Sequence, residues 1–100
     1  MPFHIQLRTA NTVDEVVSTA QSYLHVWGEV LQRLPPQCRP VIEHADDIAS
    51  AAEALALARK RLIESGQAVS HELYMTACFF EAAIARIAEL RSRSATQHAI

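Results

Sequence analysis

The chain has 100 residues, 50% hydrophobic and 20% charged, with a formal net charge of −2. That is the length of one domain and the composition of a chain that folds, which excludes a disordered polymer. The near-neutral balance provides no global field for nucleic acid or an anionic membrane surface.

Cys38 and Cys78 are the only cysteines. They lie far apart without CxxC spacing, so the sequence indicates neither a zinc site nor a disulfide framework. No basic segment followed by an apolar run opens the chain, so no signal peptide is expected. No apolar run is long enough to span a bilayer. These features predict a cytoplasmic protein. Abundant Ala, and Arg as nearly every cation, are associated with GC-rich bacterial genomes.

Residues 3–8 alternate, with Phe3, Ile5 and Leu7 on one side and His4, Gln6 and Arg8 on the other. This period of two predicts a short N-terminal β-strand. A lone strand needs a partner for its backbone groups. Either it pairs with the same segment of a second subunit, or it lies extended across the rest of the fold.

The first helix is predicted over 12–34, on the ladder Val13, Val17, Ala20, Leu24, Trp27, Leu31 and Leu34. Thr12 with Glu15 three residues on forms a capping box, and Asp14 complements the helix dipole. Pro35 and Pro36 end it. The second helix is predicted over 40–65, with Pro40 in its first turn and Gly66 as its left-handed terminator. Its ladder is Val41, Ala45, Ile48, Ala52, Leu55 and Leu62. Ser70 caps a third helix over 71–91, whose ladder is Leu73, Ala77, Phe80, Ile84 and Ile87. The tail, 92–100, loses periodicity and is expected to be flexible.

Alternating spacings of four and three belong to helices packed at a shallow angle, and short loops make neighbours antiparallel. The expected fold is therefore all-α: an antiparallel up-down-up three-helix bundle over 12–90, preceded by an extended segment, 1–11.

More apolar surface is present than such a bundle needs. The first helix carries a second row at Val16, Tyr23 and Val30, and the third carries Met75, Phe79, Ala83 and Leu90 beside its ladder. A core-facing helix needs an apolar arc of only about 100° or somewhat more. The excess has two readings. It is a symmetric interface with a second copy, or a widened core filled by Phe3, Ile5 and Leu7. The interface candidates are accordingly Tyr23, Val30, Met75, Phe79, Ala83, Leu90, Phe3, Ile5 and Leu7.

No catalytic signature stands out, and no enzyme activity or cofactor is expected. Glu43, His44, Asp46 and Asp47 crowd the start of the second helix. The i,i+3 spacing of His44 and Asp47 suits a shared cation, so Glu43, His44 and Asp47 are metal candidates. The same residues also describe an acidic first turn facing the helix dipole. His71-Glu72 begins like H-E-x-x-H, but Met75 stands where the second His is required. Cys38 beside Arg39 reads as a surface thiol and Cys78 as a packing residue. Arg59, Lys60, Arg61, Arg91 and Arg93 could touch phosphates, but Glu72, Glu81 and Glu89 on the third helix argue against a nucleic-acid partner.

The leading expectation is thus a non-enzymatic protein–protein interaction module, a homodimer acting through an apolar helix face. The alternative is a metal- or small-ligand-binding bundle using the acidic and histidine cluster. A nucleic-acid-associated regulator comes last.

Overall fold

The computed structural model describes residues 2–34, 36 and 39–98, with side chains as far as Arg93. Every element among them is helical: α1 (Phe3–Thr9), α2 (Val13–Val26), α3 (Gly28–Leu31), α4 (Ala45–Glu64) and α5 (His71–His98). The molecule is elongated, 52 × 27 × 21 Å. Among the described residues no helix is long and apolar enough to cross a membrane.

The predicted N-terminal strand is not there. Residues 3–9 form α1 instead. A single strand would leave its backbone groups without partners, whereas a helix bonds its own. The amides of Ile5 and Gln6 both donate to the Pro2 carbonyl at 3.1 Å. Phe3 and Leu7 are four apart, so they share one face of a helix as readily as one face of a strand. That face packs on α2 and α5, and Leu7 is buried.

The predicted helix over 12–34 is divided. Thr12 does cap α2: its Oγ1 accepts from the Glu15 amide at 3.2 Å, and the Glu15 carboxylate accepts from the Asn11 amide at 2.7 Å. The run stops at Val26, Trp27 takes φ −98° and ψ 15°, and the four residues of α3 follow. Gly28 is the local cause. Glycine disfavours helix by about 1 kcal/mol relative to alanine, and here it opens the new segment. Past α3, the Arg39 guanidinium closes the chain end by donating to the carbonyls of Leu34 (3.1 Å) and Gln32 (2.6 Å).

The second predicted helix begins five residues late, at Ala45 rather than Pro40. Asp47 decides the start. Its Oδ2 accepts from the amides of both Glu43 and His44 at 2.8 Å, which satisfies donors that no preceding turn can reach. Val41 therefore leaves its ladder and lies 77% exposed, while Ile42 enters the core. The Gln21 side-chain amide donates to the Ile42 carbonyl at 3.0 Å and ties this segment to α2. The end of α4 follows expectation. Gly66 has φ +77°, the Gln67 amide donates to Leu62 O (2.9 Å), and the Gly66 amide donates to Ile63 O (3.1 Å). These are the two bonds of a Schellman motif.

Ser70 accepts from the Leu73 amide at 3.2 Å and starts α5. That helix runs to His98, seven residues past the predicted end at 91. Residues 92–98, expected to form part of a flexible tail, are thus helical.

One continuous core joins α1, α2, α4 and α5 with the α3 end. Phe80, Ile48, Leu55 and Val16 sit at its centre, fully enclosed.

Candidate functional site

Of the second apolar rows on the first and third predicted helices, Val16, Tyr23, Phe79, Ala83 and Leu90 are buried within the chain, and α1 packs against Tyr23 and Phe79. The Tyr23 and Phe79 rings stack at 4.0 Å between centroids with 10° between planes. Phe3 from α1 meets both edge-on, at 5.3 Å from Tyr23 and 6.1 Å from Phe79. Phe80 closes the set from below, edge-on to Phe79 at 5.3 Å. Offset stacking and edge contacts are the arrangements the ring quadrupoles favour.

A buried polar pair crosses this aromatic cluster. The Tyr23 hydroxyl lies 3.1 Å from Thr76 Oγ1. Burial raises the Tyr23 pKa above its usual value, and the Thr76 hydrogen bond opposes that rise.

A second polar anchor holds the α1–α2 connection to α5. Arg86 donates to the Ala10 carbonyl from Nε at 3.1 Å and from Nη2 at 2.6 Å. Its third nitrogen pairs with Glu89 at 3.1 Å, and the side chain is only 11% exposed.

The cover is incomplete. At the end where α1 begins, a pocket of about 550 Å³ opens between α1, the α2–α3 joint and the first turns of α5. Phe3, Leu7, Tyr23 and Phe79 form its inner wall, and Trp27, Val30 and Met75 form its outer wall. Trp27 is 43% exposed and Met75 49%. The exposed His4 and His71, the half-buried Glu72, and Thr76, Cys78 and Ala82 also line the pocket.

The nine predicted interface residues thus divide. Leu7, Tyr23, Phe79, Ala83 and Leu90 are buried within the single chain. Phe3, Ile5 and Val30 are half-buried, and Met75 is exposed. The structure brings Phe3, Leu7, Tyr23, Val30, Met75 and Phe79 to the pocket and leaves Ile5, Ala83 and Leu90 elsewhere.

The acidic cluster resolves into a helix start. The Asp47 carboxylate is engaged by the Glu43 and His44 amides, which hold its pKa below the usual carboxylate value. Among the described residues, no group of three or more His, Cys, Asp or Glu is arranged to hold a metal ion. Cys78 is a free thiol, half-buried. The reading of Cys38 falls outside the described residues. The basic residues are largely engaged locally: Arg59 lies over the Tyr74 ring at 5.3 Å, Lys60 pairs with Glu64 at 3.9 Å, and Arg93 pairs with Glu89 at 2.7 Å.

No protein-family model, curated protein or solved structure shows significant similarity to this chain.

Two residues that shape the site carried little signal in the sequence. Trp27 falls on the apolar ladder of the first helix and reads there as a core anchor. The Gly28 beside it was the available hint that the ladder breaks and the indole turns to the surface. Arg86 reads as an ordinary cation on α5. Its place between Ala83 and Leu90, on the border of the apolar arc, was the hint that it would be drawn inward.

Proposed function

We propose that this chain is a non-enzymatic protein–protein interaction module whose partner is a second copy of itself. The observation that supports the reading is the apolar surface left after α1 has docked: Trp27 and Met75, both exposed and lining one pocket. Contiguous exposed apolar side chains, aromatic and Met among them, are the composition of interface centres. A two-fold contact would set this patch against itself. In the proposed arrangement the long helices α2, α4 and α5 run up-down-up, α1 covers one side, and the open rim faces the partner.

The test is native mass spectrometry of the full chain beside sedimentation over a range of concentrations. A dimer without added mass is the expected species, and Met75→Glu should return it to a folded monomer. Met75 is the informative position because it is exposed. Phe79 belongs to the core, and a charge there would unfold the chain whatever its oligomeric state. A wild-type chain that stays monomeric throughout the range refutes the reading.

A further inference from the structure

We infer that the pocket beside Trp27 is a binding site for a small uncharged hydrocarbon-bodied molecule, aromatic or aliphatic. Its volume of about 550 Å³ lies inside the range of roughly 300–1,000 Å³ typical of small-ligand sites.

The walls specify the chemistry. Among the described residues no buried side-chain polar atom lacks a hydrogen-bond partner. The two hydroxyls in the pocket lining, on Tyr23 and Thr76, lie 3.1 Å apart and bond to each other. The lining is mostly hydrocarbon and aromatic ring, and a charged group carried against it would lose water with little to replace it. The imidazole and carboxyl groups in the lining belong to His4 and His71, both exposed, and to Glu72, half-buried. A ligand fits with its hydrocarbon inside and any polar end outside among them. The inner wall is set in advance, since Phe79 and Tyr23 are fixed by stacking on each other and by Phe3. A preformed wall reduces the ordering cost of binding.

Trp27 makes this testable in the intact protein, because it is the chain's only tryptophan and lines the pocket. The probe is phenylnaphthylamine, an uncharged fluorophore, titrated into the full chain, with dodecanol as competitor. The expected result is saturable binding of one probe per chain, energy transfer from Trp27, and displacement by dodecanol. Nuclear Overhauser contacts should run from the probe to the Met75 methyl and the Trp27 indole. Ala82→Phe, which fills the pocket from an exposed position, should weaken binding about tenfold or more. Absence of saturable binding, probe contacts elsewhere on the surface, or a folded Ala82→Phe chain that binds as well as wild type would each overturn the inference. The contact map decides the matter if that variant fails to fold. Probe bound at Trp27 in a strictly monomeric protein would retire the dimer and keep the ligand site, and a dimer that ignores the probe would do the reverse.

Discussion

Asp47 shows how one side chain moves an element boundary. Its Oδ2 gathers the amides of Glu43 and His44, and both bonds favour the ionised form, so the pKa falls in the folded state. The folded chain then binds fewer protons than the unfolded chain at pH values just under the ordinary aspartate pKa. Stability from this group is full above that value and is lost as the pH drops through the lower, folded one. Asp47→Asn should flatten the acid side of the stability profile measured by urea titration. An unchanged profile would show that the two amide bonds contribute nothing net. Arg86 is the second residue with a disproportionate role. Its guanidinium is nearly buried, with both Nε and Nη2 on the Ala10 carbonyl. Arg86→Met keeps much of the aliphatic stem but leaves that carbonyl without its donor, a loss of about 1–3 kcal/mol. Amide exchange should then quicken in α1 before it does in α4.

The elements differ in how firmly local chemistry fixes them. The α4 terminus is set by Gly66, whose positive φ is strained for any residue with a Cβ. Nothing lies within 4 Å of the place a Cβ would occupy, so Gly66→Ala isolates the backbone term from crowding. It should destabilise by about 1–2 kcal/mol, read as a shift in the urea midpoint with an unchanged slope. A wild-type midpoint would mean the turn had relaxed to another conformation. Helix α1 is the opposite case. At 7 residues it is far below the length at which an isolated helix persists in water. Its form comes from the seat that α2 and α5 provide for Phe3 and Leu7. The alternation of Phe3, Ile5 and Leu7 fits a strand, while the Phe3–Leu7 spacing fits a helix, and six residues are too few for the pattern to choose.

At the scale of the whole molecule, the proposed dimer has a thermodynamic signature. A partner that binds only the folded chain stabilises it by mass action, so the melting temperature should rise with protein concentration. Met75→Glu should remove that dependence while leaving the value at high dilution close to wild type. A concentration-independent melting temperature would speak against association. The all-helical class, the Thr12 and Ser70 caps, the Gly66 stop and the central positions of Ile48, Leu55 and Phe80 were all legible in the sequence. They rest on interactions within a few residues, or on a repeat long enough to fix one face of a long helix. The helical state of α1, the inward turn of Arg86 and the pocket itself came from tertiary structure. Each depends on groups distant in the chain, as when Phe3 meets Phe79 or Arg86 meets Ala10. The sequence determined how much apolar surface had to be buried. Only the packing of α1 decided how much was covered within the chain, and that Trp27 and Met75 stay at the surface.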